Sequence, residues 1–426
     1  MQLGEILSWG FISVATAKAQ YDPQSWSQCL ADLTTERISH ACPSTLVQEP
    51  ICRLWRPSLV EDPSQSLLTP RTPCLFSQAT FYNGDGLSLV TTHEVVSDLL
   101  SHGVLDEVDQ GFFSPVTEPG HVKDAEAEGR PYQVRTLPGK GQGVIALRHI
   151  KQNETLLLDH PAVLVAWSLT GMTWTETQES FLYAAVQNLP DHTKQRVLNL
   201  SSAGLVPGLP LSDIFKTNIC GFSLGTEIQI PHLSLYPEFA RINHACAPSA
   251  FYRISPRDLL LEVVAFRDIE PGEEIFINYS PHAMPYHERQ QYLQEEYGFT
   301  CTCSLCSLST TKRKASDQQR TDLAVLRDKI SLAERQRRWA DVAQHASEAV
   351  GRLFSPEVLE SGLMDHSLTE LYIGHFEALA QSHLRMGNVD MAKHFAENAL
   401  DVASYLRGVQ SHDAQHIRDF IGALRA

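Results

Sequence analysis

The reading of this chain turns on Gly272-Glu273-Glu274-Ile275-Phe276-Ile277-Asn278-Tyr279. With it belong Arg241-Ile242-Asn243-His244-Ala245-Cys246 upstream and Tyr297-Gly298-Phe299-Thr300-Cys301-Thr302-Cys303-Ser304-Leu305-Cys306 downstream. Pro271-Gly272 marks a turn, and Glu274 to Tyr279 reads as a short strand after it. Cys301, Cys303 and Cys306 have metal-ligand spacing, but they supply three thiolates where structural zinc takes four. Cys246 is the natural fourth, provided folding brings it near. Cysteines this close together in sequence make poor disulfides, because Cβ positions must meet a narrow distance range. The bland alternative is a set of reduced surface cysteines.

Working outward, Tyr132 to Arg135 alternates like a strand, Gly139 to Gly143 is a turn, and Val144 to Leu147 is a second strand. Between the two lies Lys140-Gly141-Gln142-Gly143-Val144, whose glycines let the backbone turn tightly and approach a ligand. A plain hairpin turn explains this motif equally well. Glu154 to Leu158, Ala162 to Ala166 and Leu259 to Ala265 read as further short strands. From Thr175 to Leu200 the apolar spacing is helical, through Phe181, Leu182, Ala185, Leu189, Val197 and Leu198. Residues 315–426 read as helical throughout, with Gly387-Asn388 as a turn between antiparallel helices. Asp341, Ala343, His345 and Glu348 recur at a constant offset as Asp390, Ala392, His394 and Glu397. This pattern suits tetratricopeptide-like hairpins, with a plain helical bundle as the other reading.

Residues 1–125 look different. Pro57, Pro63, Pro70 and Pro73 interrupt any long helix, and the stretch reads as irregular apart from a short helix over Glu94 to Leu100. Ile6 to Ala15 is a short apolar run, and Ala17-Lys18-Ala19 resembles a signal-peptidase site, so residues 1–19 are a candidate signal peptide. Against that, Glu5 precedes the run and no Lys or Arg does. Cys29, Cys42, Cys52 and Cys74 then form either two disulfides or a set of free thiols.

The 426 residues exceed what one core usually covers, so several units are expected. A net charge of -16 excludes a general phosphate-binding basic surface, so no direct nucleic-acid binding is expected. The same charge suits a basic partner, such as a Lys-rich protein tail, or solubility alone. No apolar run is long enough for a transmembrane helix, so no membrane association is expected.

Taken together, the glycine turn, the Asn-His motif, the Asn-Tyr strand end and the terminal cysteines resemble the SET domain of protein lysine methyltransferases, from about Arg130 to Cys306. The helical stretch before Asn243 and the helical region at the end are similar to the SET-and-MYND subfamily. The dense cysteine and histidine cluster of a MYND finger is missing after the first strands, so the chain resembles the MYND-less relatives. The resemblance implies an α+β fold. Short SET strands form a pseudo-knot over residues 126–290, with a helical insert over about 170–235. A post-SET zinc motif follows over 291–310, and an all-α tetratricopeptide-like domain over 315–426.

It also implies roles. Lys140, Gly141 and Gln142 would hold the methionine end of S-adenosylmethionine. Asn243 and His244 would bind its amino group and adenine, and Phe299 would stack on adenine. Tyr279 stands where the family places its catalytic tyrosine, at the cofactor as well. Cys246, Cys301, Cys303 and Cys306 would bind Zn2+. Methyl transfer from a sulfonium is an in-line displacement, so catalysis is mostly positioning. The target lysine must first lose its proton, and a narrow aromatic channel favours that by disfavouring charge. The family usually has Ser where this chain has Ala245, a loss that bears on activity.

The leading expectation is therefore an S-adenosylmethionine-dependent protein-lysine N-methyltransferase of the nucleus or cytoplasm. Its substrate, a histone or other protein, would enter between the SET core and the last helices. The alternative is a SET-fold scaffold without catalysis, docking partner peptides on its helical domain. A secreted protein is the third reading, and reduced thiolates argue against it.

Overall fold

The computed structural model describes residues 74–105, 130–167, 174–224, 230–281, 283–353 and 368–424. The candidate signal peptide and Cys29, Cys42 and Cys52 lie outside these residues. Strands β1 (Cys74–Gln78) and β2 (Leu87–Thr91) come first, then helix α1 (His93–Ser101). Next come β3 (Tyr132–Leu137), β4 (Gly141–Ala146), β5 (Thr155–Asp159) and β6 (Val163–Ala166). Helices α2 (Glu176–Gln187), α3 (Asp191–Leu198) and α4 (Pro210–Asn218) lead into β7 (Cys220–Leu224) and β8 (Ile230–Leu235). Strands β9 (Asn243–His244), β10 (Ala250–Ile254), β11 (Leu261–Ala265) and β12 (Glu274–Ile277) complete the sheets. The remainder is helical: α5 (Tyr286–Tyr297), α6 (Thr310–Arg335), α7 (Trp339–Leu353), α8 (Leu371–Arg385), α9 (Val389–Arg407) and α10 (His412–Ala423). None of the described helices is long and apolar enough to cross a membrane.

The strands form sheets in the orders β1-β2-β6-β8-β7, β10-β11-β5 and β3-β4-β12-β9. This is the mixed α+β architecture expected. Two segments depart from expectation. Residues 74–91 fall in the stretch read as irregular, yet β2 runs parallel to β6 inside a sheet, whereas the helix expected over Glu94 to Leu100 is present as α1. All of β2 is buried, and Ser88 Oγ donates to the Ala185 carbonyl of α2 at 2.7 Å. A strand buried on both faces shows no alternation, so its pairing with a strand so distant in sequence left no local signature. Residues 220–235, expected within the helical insert, are β7 and β8. They pair antiparallel with each other, and β8 pairs with β6. Here backbone pairing across the sheet overrides weak local preference.

At the far end, α6 with α7 and α8 with α9 form successive antiparallel hairpins. Gly387, at φ +83°, makes the second turn. The recurring residues fall on α7 and α9, the second helix of each hairpin, where Ala346, Ala349, Ala392, Ala396 and Ala399 are buried. The helices dock against β10 and β11 through Phe251, Val264 and the neighbouring Phe266, packed with Ile373, Ala396 and Ile417. Tyr405 adds a hydroxyl bond to Asn153 Oδ1 at 2.7 Å and accepts Arg253 Nη1 on its carbonyl at 3.0 Å.

Between β8 and β9 the chain makes a 3-10 turn, Phe239–Arg241, that delivers Asn243. Asp159, 4 % exposed at the end of β5, anchors it. Its Oδ2 accepts the backbone N–H groups of Glu238 at 2.8 Å and Phe239 at 2.9 Å. Burial pushes the Asp159 carboxyl up to about 6, against these bonds and the Arg196 charge. The folded chain therefore binds this proton more tightly than the unfolded chain does, and the stabilisation is lost as pH rises from about 4 to 6. The non-titrating Asp159→Asn variant should lack this fall. Denaturant unfolding across pH 4 to 7 should show the parent losing up to about 3 kcal/mol relative to the variant. A constant difference would contradict the assignment.

Candidate functional site

The site is built where β9 pairs parallel with β12, in the register Phe276 to Asn243 and Ile277 to His244. On its other edge β12 pairs with β4, so the glycine turn, the Asn-His motif and the segment leading to Tyr279 lie on adjacent strands. A cavity of about 1100 Å³ opens beside them. Lys140, Gly141, Gln142, Asn243, His244, Tyr279 and Phe299 all line it, so the residues singled out from sequence come together in one place.

The polar wall is a connected set. Asn243 Nδ2 donates to the Gln142 carbonyl at 2.8 Å and to Glu274 Oε1 at 2.9 Å. Both amide hydrogens are thereby used, leaving Oδ1 as the acceptor of that side chain. Lys140 Nζ donates to Glu274 Oε2 at 2.8 Å and stands 5.0 Å from the Phe276 ring centre. Glu274 thus ties Lys140 to Asn243. Its role was not legible in the sequence, where it is one of two adjacent glutamates. Gly143 makes the approach feasible: a Cβ there would lie 2.9 Å from Glu274 Oε1, 3.0 Å from Asn243 Nδ2 and 2.4 Å from Leu137 Cδ1.

His244 is buried, and its Nδ1 accepts the backbone N–H of Tyr279 at 2.9 Å. The neutral ring then carries its proton on Nε2, which faces Cys246 Sγ at 3.3 Å. Burial holds the ring neutral, with its pKa pushed down to about 4. The Tyr279 hydroxyl donates to the Ile242 carbonyl at 2.5 Å. Burial, with the Glu274 charge behind it, raises its pKa, so the phenol stays protonated. Its ring lies 4.9 Å from Tyr297, and Phe299 lies 5.9 Å from His244.

Tyr297, Tyr252 and the Ser201–Ala203 segment also line the cavity, and sequence reasoning had assigned them nothing. Tyr297 lay inside the quoted stretch beside Phe299; the Ser201 segment carried no signal. That segment is held by Asp213, whose carboxylate accepts the backbone N–H groups of Gly204 at 2.9 Å, Leu205 at 2.5 Å and Val206 at 2.9 Å. Ala245 is buried at the cavity wall, and its N–H donates to the Ile277 carbonyl at 2.9 Å.

Cys246 does meet Cys301, Cys303 and Cys306. The four sulfur atoms all lie within 4.8 Å of one another, and none is in a disulfide. Cys246 Sγ is 3.5 Å from Cys306 Sγ and 3.9 Å from Cys301 Sγ. Tetrahedral thiolates at a metal–sulfur distance of about 2.3 Å are about 3.8 Å apart, so the spacing suits a four-coordinate ion.

Residues 141–280 match the family model of the SET domain. That stretch of the chain is similar to a SET domain. Histone-lysine N-methyltransferase set5 of Schizosaccharomyces pombe is 44% identical over 194 residues, which cover 45% of this chain and 56% of that one. N-lysine methyltransferase SMYD2 of Homo sapiens is 34% identical over 115 residues, 26% of this chain and 25% of that one. Histone-lysine N-methyltransferase SMYD3 of Homo sapiens is 31% identical over 156 residues, 36% and 35% of the two chains. The aligned region spans about half of set5 and a smaller share of the other two.

If Gly143 is glycine because Asn243 and Glu274 must close on it, Gly143→Ala should cost about 1–3 kcal/mol of stability. Gly221→Ala in β7, where a Cβ meets nothing within 4 Å, should stay within about 0.5 kcal/mol of the parent. Denaturant titration of both variants checks this, and equal stability would contradict it.

Proposed function

We propose that this chain is an S-adenosylmethionine-dependent protein-lysine N-methyltransferase. The observation that carries the reading is the convergence of the Gly141 turn, Asn243-His244, Tyr279 and Phe299 on one cavity inside a SET domain. Relatives named as lysine methyltransferases support it. The donor set suits the cofactor: an amide acceptor at Asn243 for its ammonium, a cation at Lys140 for its carboxylate, an aromatic face at Phe299 for adenine. When bound, S-adenosylmethionine supplies an electrophilic methyl group on a sulfonium.

The chain's own residues do the rest. Tyr279, Tyr297 and Tyr252 present aromatic walls that exclude water from a lysine side chain. That disfavours the ammonium form and lowers a pKa that is near 10.4 in water. The Tyr279 hydroxyl donates its hydrogen bond to the Ile242 carbonyl, which leaves its oxygen lone pairs to orient the reacting amine. Tyr252 lies on β10, the strand against which the helical domain packs, which supports substrate entry between the two halves. The acidic balance of the chain suits a basic protein segment, histone or not. A nuclear or cytoplasmic setting follows from such a substrate and from reduced thiols.

The four cysteines are the site of a structural Zn2+. Their donor chemistry and spacing fit that ion, and by fixing Phe299 they hold one wall of the cavity. Ala245 leaves no buried polar group unpaired, so the absence of serine does not by itself disable the site.

Transfer of labelled methyl groups to a lysine-rich protein, read by mass spectrometry, tests the activity. Tyr279→Phe should slow transfer by about 10²–10³-fold while leaving cofactor affinity unchanged. Unaltered turnover in that variant would remove Tyr279 from the mechanism. A folded parent that binds lysine-rich peptides but methylates none would favour the scaffold reading.

A further inference from the structure

Helix α5 lies against the thiol cluster and grips it. Gln290 brackets the backbone of Cys301: its Nε2 donates to the Cys301 carbonyl at 2.8 Å, and its Oε1 accepts the Cys301 N–H at 2.9 Å. Leu293, one turn on, packs in the same apolar shell as Cys246, Cys301 and Cys306. Arg289, beside Gln290, is 2 % exposed. A cation that deep is costly unless it is paired. Its Nη1 donates to the Met284 carbonyl, and its Nε has no acceptor in the protein. The guanidinium lies within electrostatic reach of Cys246 and Cys306, whose negative charge as thiolates would favour its cationic form.

Four thiolates around a divalent ion leave a net charge of about -2, from the ligand set alone. Burying that charge is unfavourable without donors and an opposite charge nearby. His244 offers one neutral donor to Cys246, at 3.3 Å. We propose that Arg289 is the buried counter-charge of the four-cysteine centre, and that it sets how tightly the ion is held. The proposal rests on the zinc reading given above. It explains why a long cationic side chain is buried on the helix face that grips the cysteines. It also gives a buried cation with an unpaired Nε the compensating negative charge that it otherwise lacks. The ion and Arg289 are then mutually dependent, because each alone leaves an uncompensated buried charge.

The test uses the full zinc-loaded chain, with Arg289→Met to remove the charge at similar length and Arg289→Lys to keep it. Bound zinc per chain is counted first, then the rate of its transfer to a competing chelator. Cobalt(II) substitution reports the ligand set by its thiolate charge-transfer absorption. The expected result is one ion per parent chain and about 10–100-fold weaker retention in Arg289→Met, the size of typical outer-shell effects. Arg289→Lys should retain the ion better than Arg289→Met, and the cobalt spectrum should be unchanged in all three. Arg289→Gln serves as the neutral variant if the methionine form does not fold, with the same loss expected. Equal retention by the parent and a folded neutral variant would overturn the counter-charge role while leaving the metal site standing. Retention by Arg289→Lys no better than by a neutral variant would likewise overturn it, since packing and not charge would then be responsible. A folded parent that takes up no zinc and shows no cobalt–thiolate absorption would overturn the metal reading itself, and the proposal with it.

Discussion

The parallel pairing of β9 with β12 is the constraint on which the rest of the site depends. A strand of two residues, Asn243–His244, is held by neighbours from distant parts of the chain. On one side Phe276 and Ile277 fix its register, and beyond them β4 brings the glycine turn. Behind it, Asp159 anchors the turn that delivers it. Such non-local closure costs loop entropy, which the buried strands Val144, Ile275 and Ile277 offset through shared apolar burial. Once the register is set, Asn243 faces Gln142 and Glu274, and His244 faces Tyr279, with no further degree of freedom to fix.

His244 carries that constraint outward. One ring nitrogen accepts from the backbone of Tyr279 and the other faces Cys246. The aromatic cavity and the thiol cluster therefore share a side chain. The apolar shell around the cysteines includes Tyr279, Tyr297 and Phe299, which also line the cavity. An ion held by these cysteines would make metal binding and the shape of the cavity wall parts of one local folding equilibrium. The same arrangement accounts for the protonation states: burial keeps His244 neutral and Tyr279 protonated, so the site presents oriented dipoles in place of charges.

Much of this was legible in the sequence, for physical reasons. Cys301, Cys303 and Cys306 announce themselves because their spacing is that of metal ligands, and Cys246 because a four-coordinate site would need a fourth thiolate. Gly141 stands out because its backbone, at φ +71°, favours glycine, and Gly143 because a Cβ there would meet Leu137, Glu274 and Asn243. The helices at the end have a strong period, and Gly387 marks their turn. What stayed hidden was non-local. Strand β2 is buried on both faces and finds its partner in β6, far along the chain, so residues 74–91 read as irregular, whereas the helix expected over Glu94 to Leu100 did show its period. Strands β7 and β8 are short, with Pro231 at the start of one, and read as part of a helical insert. Glu274 looks like any surface glutamate until Lys140 and Asn243 are placed against it. Arg289 looks like a solvated helix position, because only the folded chain shows that it is buried beside sulfur.

The account stands or falls on whether the cavity beside Asn243 takes S-adenosylmethionine. Calorimetric titration of that molecule into the purified, zinc-loaded chain measures this directly, with Asn243→Ala as the control. The account predicts saturable binding of one molecule per chain by the parent and loss of binding in the variant, whose fold is otherwise intact. A folded, zinc-loaded parent that gives no heat of binding would contradict it.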